Sequence, residues 1–170
     1  MTTDPLASMA VEVRATFDAP IDEVWALLSD VERMAGLGPE HVAATWDVDG
    51  PSVGARFTGV NRRGDFEWSV PCIVTVCQPP VLFEWTVGDA SAPSSTWSYE
   101  LAPESEGTTI VTQRFRHGPG FSFVRASTER APDEAGAVID ARCGSLRSGM
   151  EATLVAARGL LTGEESHAAG

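Results

Sequence analysis

Apolar residues recur at three- and four-residue steps between Asp133 and Leu161: Val138, Ile139, Cys143, Leu146, Met150, Leu154, Ala157 and Leu161. That spacing places them on one face of an α-helix, while Arg142, Arg147, Glu151 and Arg158 fall mostly on the other side. A helix of about 28 residues is about 42 Å long, enough to cross a small domain, so its stripe needs a wide partner. Gly144, Ser145, Ser148, Gly149 and Gly159 interrupt the stripe with small side chains. Two readings stay open: close packing against strands, or room left for a ligand beside flexible Met150.

Almost everything before this helix alternates as strands do. Val11, Val13, Ala15 and Phe17 share one side of a strand over Ala10 to Phe17, with Glu12, Arg14 and Thr16 on the other. Pro20 then opens a short helix whose first turn carries Asp22 and Glu23, favourable at a positive helix end. Its apolar face is Ile21, Val24, Trp25 and Leu28; Val31 to Met34 adds a second turn before Gly36, Gly38 and Pro39. Six further strands are predicted at 42–48, 55–61, 67–77, 82–87, 96–101 and 108–116, separated by Gly and Pro turns. No helix-length segment interrupts the run, so the sheet is predicted to be antiparallel. Residues 121–130 read as a loop or a short helix.

The same alternation sorts side chains by face. The inward set is Phe57, Gly59 and Asn61; Trp68, Val70, Cys72, Val74 and Val76; Phe83, Trp85 and Val87; Trp97, Tyr99 and Leu101; Thr109, Val111, Gln113, Phe115 and His117. The face meeting the long helix is therefore aromatic yet carries four polar groups, Asn61, Tyr99, Gln113 and His117. An enclosed polar group without a partner costs about 1 to 3 kcal/mol, so each must bond to backbone, water or a ligand. His117, beside Gly118, reads as a histidine of the mouth; His41 and His167 read as loop and tail residues.

Net charge of −12 disfavours nucleic acid and a polybasic membrane anchor as partners. No apolar run approaches the ~18 residues needed to span a bilayer, and Met1 to Ala10 lacks the basic start of a signal peptide, so a cytoplasmic location is expected. The three cysteines, Cys72, Cys77 and Cys143, sit within apolar-patterned elements and read as reduced packing residues. Nothing matches a phosphate loop, a nucleophile elbow or a pair of metal-spaced histidines, so no metal or nucleotide cofactor is indicated.

Several short runs in order resemble the polyketide cyclase/dehydrase and lipid-transport family of the START-like superfamily. They are Ala19-Pro20-Ile21-Asp22-Glu23-Val24-Trp25 with Asp30-Val31-Glu32-Arg33, Val53-Gly54-Ala55-Arg56-Phe57 with Gly59 to Gly64 and Trp68, Gly107-Thr108-Thr109, and Gly149 to Leu154. The resemblance implies an α+β helix-grip fold: a curved seven-stranded antiparallel sheet around a long C-terminal helix, with two short helices after the first strand. The expected organisation is a flexible leader over 1–9, one ligand-binding domain over 10–162 and a frayed tail over 163–170, as a monomer or homodimer. A small, mainly hydrophobic ligand, aromatic, polyketide-like or lipid-like, is expected between sheet and helix. Its expected contacts are Phe57, Asn61, Trp68, Phe83, Trp85, Trp97, Tyr99, Gln113, Phe115, Leu146 and Met150. Two alternatives stand beside binding. One is a cyclase or dehydratase in which Tyr99 or His117 moves a proton; the other is a partner-binding module with a closed core.

Overall fold

The structure, a computed structural model, describes residues 4–163. Seven strands form one antiparallel sheet: β1 (Ala10–Phe17), β2 (His41–Trp46), β3 (Arg56–Arg63), β4 (Phe66–Gln78), β5 (Leu82–Asp89), β6 (Ala92–Ser105) and β7 (Thr108–His117). Their order across the sheet is β1-β7-β6-β5-β4-β3-β2. Only the step from β1 to β2 is not a simple hairpin, and it carries α1 (Ile21–Leu28) and α2 (Val31–Met34). After β7 come α3 (Phe123–Arg130), a 3-10 turn over Pro132–Glu134 and the long α4 (Ala135–Thr162). This is the α+β helix-grip architecture expected from the sequence.

Local chemistry accounts for the helix ends. Asp22 and Glu23 occupy the first turn of α1, and the Asp30 carboxylate accepts the Arg33 amide at the start of α2, 3.2 Å away. Gly163 ends α4 at φ 71°, a left-handed conformation that glycine adopts without steric cost. Along α4 the buried residues are Leu146, Met150, Leu154 and Ala157, all from the predicted stripe. The small residues of this helix do not line its inner face as a group. Gly149 lies against Pro39, and open space surrounds Gly144. Arg147 and Arg158 donate to the carbonyls of Glu12 and Thr16 on β1, the sheet edge that α4 runs along.

Four expectations change, and one open alternative is decided. The leader, read as flexible, is packed from Asp4 onward: Leu6 and Met9 are buried in the core. The tail expected over 163–170 lies outside the described residues apart from Gly163. β6 is longer at both ends than predicted because Pro93 and Pro103 looked like strand breakers. Pro103 is tolerated where β6 has only β7 as a neighbour, since β5 pairs no further along than Glu100. A bulge in β4 between Val74 and Val76 shifts the alternation. Val76 then pairs with outward Glu84 and Cys77 with inward Phe83, so Cys77 takes the place assigned to Val76. Residues 123–130, left between loop and helix, are helical because Ser122 caps them, its hydroxyl accepting the Arg125 amide at 3.1 Å. His41 is the first residue of β2 rather than part of a loop.

Candidate functional site

Exposure rises in one direction, from the end closed by α1 to the end beneath α3, along the inward residues of β3, β5 and β7 and over part of β4, β6 and α4, whereas on β1 Val13 and Val11 stay sealed. On β6, Leu101 is 2% exposed and Tyr99 5%, whereas Trp97 is only half-buried. On β5 the sequence is Phe83 at 0%, then half-buried Trp85 and Val87. On β4 it runs from Val74 through Cys72 to half-buried Val70 and Trp68. Across from them, Ala157, Leu154 and Met150 are sealed while Cys143 and Ile139 keep partial access. The gradient points to an apolar groove between the sheet and α4, open at the end beneath α3.

The rings in the groove form a connected set around Trp85. Its centroid lies 5.4 Å from Phe83, 5.6 Å from Tyr99, 6.3 Å from Phe57 and 6.4 Å from Trp97, the last nearly parallel at 9°. Phe115 meets Trp97 edge-on at 4.9 Å. Leu146 and Met150 belong to the same core cluster. These side chains are brought together as the alternation requires.

Tyr99 and Gln113 sit where the sealed half meets the open half, directly opposite each other across β6 and β7. Gln113 is 4% exposed, and its side-chain oxygen has no hydrogen-bond partner among the described residues. Burial alone pushes the Tyr99 hydroxyl well above the usual phenol range, so it stays protonated. Asn61 lies nearer the open end, paired with His41 on β2 and Trp68 on β4.

At the open end α3 reaches across the mouth. Phe123 touches Phe66 at 5.7 Å and Trp68 at 5.5 Å, both edge to face. Beside this cluster the Arg142 guanidinium grips both oxygens of Glu40 at 2.9 and 3.1 Å, and Arg63 joins the same carboxylate at 2.8 Å. Arg63 also lies over the Trp68 ring, 5.8 Å from its centroid. His117 is under α3 rather than in the groove floor. Its Nε2 is 2.7 Å from the Ser122 hydroxyl, and burial followed by the Arg125 charge holds the imidazole below its ordinary pKa.

Sequence reasoning missed several of these residues. Phe123 and Ser122 lie in a stretch with little apolar period, and Glu40 and Arg142 are far apart in the chain. His41 is half-buried, and burial depresses its pKa. Its Nε2 would stand 3.4 Å from a Cβ at position 59, an ordinary contact distance. Two surface recesses, of about 320 and 390 Å³, lie elsewhere. One is bounded by Ala7 to Ala10, Thr96, Arg116 and His117, and the other by Trp25, Ser29, Glu32, Trp46 and Pro51 among others. Neither reaches Tyr99 or Gln113.

The family model described as polyketide cyclase/dehydrase and lipid transport matches residues 8–151. A solved structure of the Polyketide_cyc-like protein Cgl2372 from Corynebacterium glutamicum is 31% identical, with 94% of this chain and 95% of that one covered at a TM-score of 0.67. Protein Ms6760 from Mycobacterium smegmatis is 21% identical over 94% and 95% of the two chains at 0.63. A protein from Arthrobacter aurescens is 18% identical over 99% and 96% at 0.65. The last two likenesses speak for the fold alone. None of the curated proteins compared with this chain matches it.

Proposed function

The chain belongs to the polyketide cyclase/dehydrase and lipid transport family, and from that premise we propose that it binds a small, mainly hydrophobic molecule in the groove between sheet and α4. The observation that carries this reading is the common gradient of exposure. In a solid core, side chains in the middle of a sheet and facing inward are sealed along their whole length. Here Trp68, Val70, Trp85, Val87 and Trp97 keep partial access, as do Ile139 and Cys143 on α4. Covering apolar surface there supplies affinity at about 25 cal/mol per Å², and a few polar groups at the floor supply orientation.

Charge supports an uncharged occupant. The chain has no lysine, and the ion pairs of its arginines lie on the rim or the outer face: Arg142 and Arg63 with Glu40, Arg62 with Glu67, Arg114 with Glu12 and Glu100. Titration with a hydrophobic fluorophore, followed by tryptophan emission, tests the proposal. One saturable site is the expected result, and a linear, unsaturable response would overturn it. Replacing Tyr99 by Phe separates binding from turnover. A binding protein changes affinity by no more than about tenfold for one neutral hydrogen bond, whereas a cyclase using this hydroxyl as an acid loses its reaction.

A further inference from the structure

The floor of the groove holds one unmet hydrogen-bonding demand, and that demand has a definite chemistry. Gln113 is 4% exposed, its side-chain oxygen lacks a partner among the described residues, and its direct cross-strand neighbour on β6 is Tyr99, whose hydroxyl stays protonated. A buried amide end left open is rare, because the desolvation penalty of about 1 to 3 kcal/mol goes uncompensated. The group that answers it must donate to an amide oxygen and accept from a phenol. A hydroxyl does both, and it serves equally if the amide is turned end for end. A carboxylate cannot donate, and among the described residues the arginine ion pairs involve neither Gln113 nor Tyr99.

We propose that the ligand of this groove is an uncharged, aromatic or otherwise apolar molecule bearing a hydroxyl, whose hydroxyl is bound between Gln113 and Tyr99. This rests on the binding reading above and narrows it: fatty acids and other buried anions are excluded, and neutral phenols, enols and alcohols are admitted. Trp85 and Trp97, nearly parallel, supply ring faces for the body of such a molecule.

The test compares three probes of one shape, naphthalene, 2-naphthol and 2-naphthoate, titrated at pH 7 into the full chain and into Gln113→Leu and Tyr99→Phe variants. In a wholly apolar site the hydroxyl is a burden, and naphthalene binds more tightly than naphthol. The proposal requires the opposite sign: 2-naphthol three- to tenfold tighter than naphthalene, roughly the value of one or two net hydrogen bonds, and 2-naphthoate weakest. In Gln113→Leu the preference for naphthol over naphthalene reverses; Tyr99→Phe reduces the preference. Equal binding of naphthol and naphthalene to the unaltered protein would mean that Gln113 is served by buried water, and the proposal falls while the binding reading stands. Tightest binding by 2-naphthoate also overturns it. If none of the three saturates, the binding reading fails and this proposal with it. The sign on the unaltered protein decides the matter even where a variant does not fold.

Discussion

The imidazole of His117, at the last position of β7, lies 2.7 Å from the hydroxyl of Ser122, the residue that caps α3. One side-chain contact thus ties the end of the sheet to the element lying over the mouth of the groove. Because Nδ1 is buried without a partner among the described residues and Arg125 stands nearby, a second ring proton is unfavourable there. Asp4, which pairs with Arg125 at 2.9 Å, only partly offsets that charge.

Stability should therefore fall on mild acidification. A histidine whose folded pKa lies below its unfolded value of about 6.5 contributes fully above that value. The contribution is lost as pH falls from there through the folded pKa. Both His117 and His41 are shifted in this direction. Thermal melts between pH 8 and pH 5 should show a falling midpoint, and His117→Asn should flatten the profile in part, with the His41 share remaining. A midpoint that rises over this range would contradict the assignment.

Ser122→Ala removes both the α3 cap and the partner of His117. The expected cost is about 1 kcal/mol, the usual value of an N-cap hydroxyl, or a midpoint lowered by about 2 to 4 °C in a chain of this size. Hydrogen exchange should quicken in α3 amides before those of β6 and β7.

Phe123 is 45% exposed yet touches Phe66 and Trp68 across the mouth. Phe123→Ala should change stability little and raise ligand dissociation several-fold in stopped-flow displacement. Unchanged kinetics would remove Phe123 from the entry path.

Arg142 and Glu40 join α4 to the loop before β2 by a two-point contact with about a quarter of each side chain exposed. A double-mutant cycle with Arg142→Ala and Glu40→Ala should give a coupling of about 0.5 to 1 kcal/mol, near the upper end for partly exposed pairs. Coupling near zero would make the contact incidental.

Cys72 should resist thiol reagents until the protein unfolds. It is buried, and desolvation pushes its thiol up to about 12. Cys77 and Cys143, half-buried, should react slowly in the folded state, and Cys143, which faces the groove, more slowly still when a ligand is bound.

Much of the frame was legible because period carries it. Val11 to Phe17, Trp97 to Leu101 and Thr109 to Phe115 alternate cleanly, so their faces could be sorted without a structure. Where the backbone departs from regularity the pattern misleads. The bulge before Val76 exchanges that residue with Cys77, and two prolines conceal the ends of β6. The groove was less legible than the sheet. Phe83, Tyr99 and Gln113 follow from alternation, but Glu40 with Arg142 and His117 with Ser122 are meetings that only tertiary folding brings about. Leu6 shows the same limit, since one apolar residue in a polar leader has no period by which to be read.

The most direct measurement of the central claim follows the five tryptophan indole N–H signals by NMR while 2-naphthol is added. The Trp85 and Trp97 signals should shift and saturate together, because these rings stand inside the groove, with Trp25, which borders an outer recess, little affected. Saturating shifts at Trp25 with Trp85 and Trp97 unmoved would place the molecule outside the sheet and helix, and the account of this groove as a binding site would be wrong.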